Sequence, residues 1–329
     1  MNNTKSGRIL LTGGAGYIGS VLARQLLQEN YSVRVFDSLL HGGKALTSFF
    51  SHPEFEFIRG DIRNSEEVKK AMNGVDQVVH LAAIVGDFAC KKFKTDAETT
   101  NIKGSEILRD EAINAGVKKF VFASTCSNYG LMKKSTGALD ELTTLSPQSE
   151  YAKQKTGFEK ILLESAQKKM KTVILRFATA YGLSARMRFD LSVNHFTRDL
   201  GSGKKLEISG SKTWRPYCHV EDLAKAVILV LRANELDEMS PVFNVGNSKE
   251  NYSKEMLVKE ILRRAPSGKV DFLEESGNDL RNYFVDFSRI RMELGFKNQF
   301  TVPDGISEVL RLVQSGLIPD LYAPEFENA

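Results

Sequence analysis

Hydrophobic positions fall in short blocks that alternate between two spacings along the first half of the chain. Arg8–Thr12 is a short apolar run. Gly16–Asn30 follows with Ile18, Val21, Leu22, Leu26 and Leu27 on one side, the spacing of an amphipathic helix. Ser32–Phe36, Phe55–Arg59 and Asp76–Leu81 read as strands, and Ser65-Glu66-Glu67 opens a helix between the last two. Thr100–Ala115 reads as a helix and Lys118–Ala123 as a strand. Tyr151–Met170 is a long helix with Phe158, Ile161, Leu162 and Ala166 on its apolar side, followed by a strand at Thr172–Phe177. Strands that are apolar nearly throughout, separated by helices, predict an α/β fold: a doubly wound parallel sheet covered on both faces.

The rhythm breaks after Gly182. Leu183–Asp190 is loop-like and basic, Asp222–Arg232 is a clear helix, and Pro241–Val245 returns as a strand. Glu250–Arg264 and Asp304–Ser315 read as further helices. The expected organisation is a sheet domain from residues 1–182 and 216–246, a smaller interrupted lobe from 183–215 and 247–320, and a loose tail at 321–329.

Composition narrows the class. With 42% hydrophobic and 26% charged residues in 329, the chain is an ordinary globular protein, not a disordered or fibrous one. No apolar run approaches the roughly 18–20 residues that span a bilayer, so no membrane partner is expected. The apolar stretch Ile9–Leu11 is too short for a signal-peptide core. Net charge is +4, and the basic excess of the middle of the chain lies in separated lysine pairs such as Lys91-Lys92 and Lys133-Lys134. These suit solvated faces, not a nucleic-acid groove, so no nucleic acid is expected as partner. Cys90, Cys126 and Cys218 have no metal-ligand spacing, so no metal site is expected. Free thiols fit a reducing cytoplasmic location.

Candidate chemistry begins at Arg8–Gly19, RILLTGGAGYIG. Gly13, Gly16 and Gly19 lie between a strand and a helix, where the backbone can approach a pyrophosphate and the helix N-terminus offers free N–H groups. Asp37 ends the second strand, 18 residues beyond Gly19. A carboxylate there can bind the adenosine ribose hydroxyls and would repel a 2′-phosphate, which favours NAD over NADP. Asp61 ends the third strand and could meet adenine or serve only its turn. Tyr151 and Lys155 form YxxxK at a helix start, on one face. An adjacent ammonium and a positive nicotinamide ring favour the phenolate, bringing a phenol of pKa near ~10 toward the range of a useful base. Thr125 follows the fifth strand, where a doubly wound sheet binds ligands, and its hydroxyl could hold a substrate oxygen.

TGGAGYIG, Asp37, GDI at 60–62, HLAA at 80–83, Asn101, STCSNYG, YAKQK and RPYCHVEDLA at 215–224 occur in this order. Together they resemble the extended short-chain dehydrogenase/reductase family, in particular its nucleotide-sugar epimerases and dehydratases, over roughly residues 8–315. The segments 177–182, 186–190 and 281–286 also look like a subgroup acting on GDP-heptose at C4. The resemblance implies that Gly13, Gly16 and Gly19 are the dinucleotide glycines, with Tyr17 and Ile18 over the pyrophosphate. It implies Asp37 as ribose ligand, Asp61 and Ile62 as adenine contacts, and Leu81, Ala82 and Ala83 as the cofactor wall. Tyr151 becomes the base, Lys155 its nicotinamide-ribose-binding partner, and Thr125 the catalytic hydroxyl. Arg215 matches an arginine that grips a nucleotide diphosphate. Arg281 stands near a place where epimerases carry a second such arginine, and Asn194 lies in the variable substrate segment.

Departures from the family pattern bear on the reaction. Sugar 4,6-dehydratases carry an Asp-Glu pair after the catalytic threonine, where this chain has Cys126 and Ser127. The expected activity is therefore NAD-dependent oxidation of the 4-hydroxyl of a nucleoside-diphosphate sugar, with a 4-epimerase or a 4-dehydrogenase outcome. A 4,6-dehydratase, an NADP-dependent carbonyl reductase and a non-catalytic NAD-sensing protein are the alternatives. Arg186 and Arg188 could meet nucleotide phosphates or be solvated. The resemblance also implies a homodimer through the helices at 100–115 and 151–170.

Overall fold

Seven of the apolar runs pair side by side in one sheet. The computed structural model describes residues 7–131, 137–164, 170–233, 241–273 and 282–328. Its first half runs β1 (Arg8–Thr12), α1 (Tyr17–Gln28), β2 (Val33–Asp37), β3 (Phe55–Arg59), α2 (Ser65–Ala71), β4 (Val75–His80), α3 (Asp87–Lys92), α4 (Lys94–Glu98), α5 (Ser105–Asn114) and β5 (Lys119–Thr125). Then come α6 (Glu150–Glu164), β6 (Lys171–Phe177), β7 (Thr179–Tyr181), α7 (Ser192–Gly201), β8 (Leu206–Ile208), β9 (Trp214–His219) and α8 (Val220–Arg232). The rest comprises β10 (Val242–Val245), β11 (Asn251–Ser253), α9 (Lys254–Leu262), β12 (Val270–Phe272), α10 (Ser288–Leu294) and α11 (Val302–Gln314).

The large sheet has the order β10-β6-β5-β4-β1-β2-β3, and its neighbours are parallel. Chain order reverses between β1 and β4, so the crevice beyond their C-terminal ends is the natural ligand site. Register sets the ends of three strands level, with Thr12 beside Phe36 on β2 and His80 on β4. On one face Leu22 and Leu26 of α1 pack with Val227 and Val230 of α8. On the other, Leu108 of α5 and Phe158 and Leu162 of α6 cover Phe120, Phe122 and Ile174. Phe158 is fully buried, a burial of about 1.5–3 kcal/mol relative to an exposed ring, and it fixes α6 against the strand that ends in Thr125. A third cluster, including Tyr181, Phe196, Leu257 and Ile306, forms the core of the smaller lobe.

Several expectations need correction. Residues 251–253 form β11, paired antiparallel with β9, so the helix expected from Glu250 begins at Lys254, where the Ser253 hydroxyl accepts the Met256 N–H. The helix expected from Thr100 opens instead with a π-helical turn at Thr99–Gly104. The strand expected to stop at Ala123 runs on to Thr125. The tail is not loose. Phe189 N–H donates to the Phe326 carbonyl at 2.9 Å, their rings lie 5.4 Å apart, and Lys44 pairs with Glu325 at 3.2 Å. Among the described residues no helix is long and apolar enough to cross a membrane, and no group of three His, Cys, Asp or Glu could hold a metal ion.

Candidate active site

The glycine turn sits where β1 hands over to α1. Gly13 adopts φ +73°, and a Cβ there would lie 2.6 Å from the Ala82 backbone nitrogen. At Gly19 a Cβ would come within 2.1 Å of the Gly13 carbonyl oxygen. A Cβ at Gly16 meets only the Gly13 carbonyl, at 3.2 Å. Two of the glycines are thus demanded by packing, while Gly16 leaves the turn open beside the N-terminus of α1, as a pyrophosphate cradle requires. Gly19→Ala is expected to cost about 1–3 kcal/mol of stability, the scale of overpacking. Gly16→Ala is expected to leave the melting temperature nearly unchanged while weakening NAD binding. Thermal melts and NAD titration of the two variants check this contrast.

Asp37 ends β2 beside that turn. Its carboxylate accepts the Ala15 N–H at 3.0 Å and the Leu39 N–H at 2.8 Å, and burial holds its pKa above the ordinary value despite both bonds. It therefore braces the glycine turn. Asp61 is gripped by Arg63, whose Nε lies 3.0–3.1 Å from both carboxylate oxygens. Burial alone would raise the Asp61 pKa, but the Arg63 bonds outweigh it and the net shift is downward. Ile62 is buried in the core, where a Cβ on Gly104 would meet its side chain at 2.8 Å. Leu81 and Ala82 continue from β4 and donate backbone N–H groups to the Thr12 carbonyl and hydroxyl, with Ala83 following. His80 bridges Thr12 at 2.8 Å and Ser105 at 2.9 Å, and burial, then Lys155, holds it neutral.

At the β5 end, Thr125 caps a 3-10 turn at Cys126–Tyr129, its hydroxyl accepting the Ser127 N–H at 3.1 Å. Lys155 is buried on α6, and its ammonium donates to the Ala123 carbonyl at 2.8 Å. It lies 5.9 Å from the centre of the Tyr151 ring, and the Ala123 carbonyl it holds stands two residues before Thr125 on β5. Burial pulls the Lys155 pKa down to about 8, while burial and then Cys90 push the Tyr151 hydroxyl up and Arg188 pulls it back. Burial, more than any neighbouring charge, thus keeps Tyr151 protonated. Behind the pair, Asn101 in the π turn accepts the Ile84 N–H at 2.8 Å and donates to Gln154 at 2.7 Å. Gln154 had no signal in the sequence; the π turn that aims Asn101 at it is the structural clue.

Other expected residues sit differently. The Tyr17 side chain turns away from the cradle and donates its hydroxyl to the Gly182 carbonyl at 2.6 Å, leaving its backbone and that of Ile18 at the start of α1. Asn194 is fully buried and spends its amide on protein groups: it accepts the Gly182 N–H at 3.0 Å and donates to the Arg188 carbonyl at 2.9 Å and the Tyr17 hydroxyl at 3.2 Å. Its expected substrate contact is therefore replaced by a joint between the lobes. Arg215 lies on β9 with its guanidinium 5.3 Å from the centre of the Tyr283 ring. The Tyr283 hydroxyl reaches the Ser127 hydroxyl at 3.4 Å, so the second lobe meets the turn after Thr125. Arg281 lies outside the described residues.

The model of the NAD dependent epimerase/dehydratase family matches residues 9–246. The chain is 29% identical to a dTDP-glucose 4,6-dehydratase of Actinoplanes sp. over 317 residues, covering 92% of this chain and 96% of the relative. It is 31% identical to UDP-arabinose 4-epimerase 1 of Arabidopsis thaliana, covering 89% of this chain and 76% of the relative. Its fold is similar to that of UDP-glucuronic acid 4-epimerase from Bacillus cereus in complex with UDP-glucuronic acid and NAD, with a TM-score of 0.84 and 26% identity over 94% of this chain and 99% of the other.

Proposed function

Because the chain belongs to the NAD-dependent epimerase/dehydratase family, with NAD as its cofactor, we propose that it oxidises the 4-hydroxyl of a nucleoside-diphosphate sugar bound between the sheet and the smaller lobe. NAD, when bound, supplies the hydride acceptor. Tyr151 removes the hydroxyl proton, and Thr125 orients the same oxygen through its own hydroxyl. Lys155, anchored on the Ala123 carbonyl, lends positive charge to the phenolate that Tyr151 becomes. A 4-epimerase or a 4-dehydrogenase outcome begins with this one proton transfer. Gly13, Gly16, Tyr17, Ile18 and Gly19 take the pyrophosphate through their backbone, Asp37 the ribose, and Asp61 with Ile62 the adenine edge. Arg215 and Arg281 take the diphosphate of the substrate.

The observation that supports this reading is the pairing of Lys155 with the Tyr151 ring and with the Ala123 carbonyl near the end of β5, with no carboxylate at positions 126 and 127. Cys126 is buried, donates to the Arg176 carbonyl at 3.2 Å, and has its thiol pKa pushed well up by burial. Ser127 holds the Tyr283 hydroxyl. Neither offers the acid that elimination of a 6-hydroxyl needs, which disfavours a 4,6-dehydratase. The test is mass spectrometry of products from UDP-, GDP-, dTDP- and CDP-sugars in deuterated water. An unlabelled 4-epimer or 4-keto sugar is expected; loss of water with retained solvent deuterium would overturn the reading. We also propose a homodimer through α5 and α6, the helices expected at 100–115 and 151–170, where Leu163 of α6 stands exposed.

A further inference from the structure

The loop at 182–190 is fastened to the first turn of α1. Besides the Tyr17–Gly182 bond, the Ser184 hydroxyl donates to the Tyr17 carbonyl at 2.7 Å and lies 3.0 Å from the Ser20 hydroxyl. These bonds carry Arg186 and Arg188 to the helix end that opens from the glycine turn. Arg186 is only 7% exposed. Its Nη2 donates to the Glu327 carbonyl at 3.0 Å, and its buried Nε has no partner. Arg188 is matched by Asp190, with bonds of 2.9 and 2.5 Å. Asp190 is thus spent on Arg188, and among the described residues no carboxylate pairs with the buried guanidinium of Arg186.

Burial and then the charge of Arg188 pull the Arg186 pKa down to about 10. His41, on the loop after β2, is held below its usual range by desolvation and then by Arg186 and Arg188. Arg188 is also felt at the Tyr17 and Tyr151 hydroxyls. The cluster thus lies against the start of α1, within electrostatic reach of the loop after β2 and of Tyr151. A buried cation without a counter-charge is unfavourable until an anion completes it.

We propose that Arg186, with Arg188 beside it, forms a diphosphate-binding site that clasps the pyrophosphate of NAD from the side opposite the glycine turn. The assignment rests on the placement of NAD over that turn. A sugar nucleotide carries the same chemistry, but Arg215 lies apart on β9, whereas Arg186 and Arg188 adjoin α1 and the loop beyond Asp37. The tail helps to hold Arg186 through Glu327, and the Asn328 amide reaches the Val85 carbonyl at 3.5 Å beyond β4.

Calorimetric titration of the wild type, Arg186→Gln and Arg186→Lys with NAD, ADP-ribose, adenosine and UDP tests the proposal. Arg186→Gln is expected to bind NAD and ADP-ribose about 10–100-fold more weakly, the scale of a lost charged hydrogen bond. Adenosine and UDP should bind as before, and Arg186→Lys should fall between. Unchanged ADP-ribose affinity in Arg186→Gln, or a loss confined to UDP, overturns the site and leaves the proposed reaction standing. A wild type that binds neither NAD nor ADP-ribose overturns the cofactor placement itself. If Arg186→Gln gives no cooperative melt, Arg186→Lys and Arg188→Gln decide: unchanged ADP-ribose affinity in both overturns the site.

Discussion

Replacing Tyr151 by Phe is expected to lower turnover of the sugar nucleotide at least ~10²-fold while leaving NAD binding intact. The variant removes one oxygen and keeps the ring that fills the start of α6, so the fold has little reason to respond. Neither Thr125 nor Lys155 can replace the lost base. The Thr125 hydroxyl is not acidic enough, and the Lys155 ammonium is tied to the Ala123 carbonyl. Burial raises the Tyr151 pKa, so loss of its proton has to be favoured by positive charge gathered in the assembled site. Steady-state kinetics with parallel NAD titration checks the result. Near-normal turnover would remove Tyr151 from the reaction, and loss of NAD binding would mean that the hydroxyl serves the cofactor.

The largest effect on stability is expected at Glu159. It lies on α6, one turn beyond Lys155, and pairs with Arg176 of β6 at 2.8 Å with both side chains buried. It also takes bonds from the Ser124 hydroxyl and, at 2.8 Å, from the Asn128 amide. Glu159→Ala strands a buried guanidinium and unbinds the residue preceding Thr125. A loss of about 3–5 kcal/mol follows from removing one partner of a buried ion pair. The midpoint of urea unfolding should fall sharply. Glu159→Gln keeps the shape and part of the bonding, and it should lose less. Equal stability of Glu159→Ala and wild type would mean that Arg176 finds another anion.

The sheet was legible because its strands are largely apolar runs, and α1, α5 and α6 show a helical period, whereas the short α3 and α4, at 87–92 and 94–98, are too brief to show one. β1, α1 and β2 also carry the glycines and Asp37, so the strand–turn–helix unit that brings them together could be read from spacing. The small sheets could not. β9, WRPYCH, holds a proline and the polar ends of Arg215 and His219, and its strand character comes from pairing with β7 and β11, which lie far away in sequence. α7 escaped for another reason: Asn194, Arg198 and Asp199 are buried in it, so polar residues interrupt its apolar face. The same burial explains Asn194. A polar residue in a segment expected to meet substrate reads as a ligand contact until Gly182 and Tyr17 are seen to consume its amide. The tail gave no sign of its docking because Glu325, Phe326 and Glu327 are held through backbone carbonyls and isolated pairs, which leave no sequence period.

The joint around Gly182 bears on motion. Asn194 holds both the N–H and the carbonyl of that residue, and Tyr17 and Ser184 bolt the same stretch to α1. A clamshell swing hinged there would sever these bonds together, each worth about 0.5–1.5 kcal/mol net. Opening there would therefore cost several such bonds at once, so the stretch around Gly182 is a seam that resists parting.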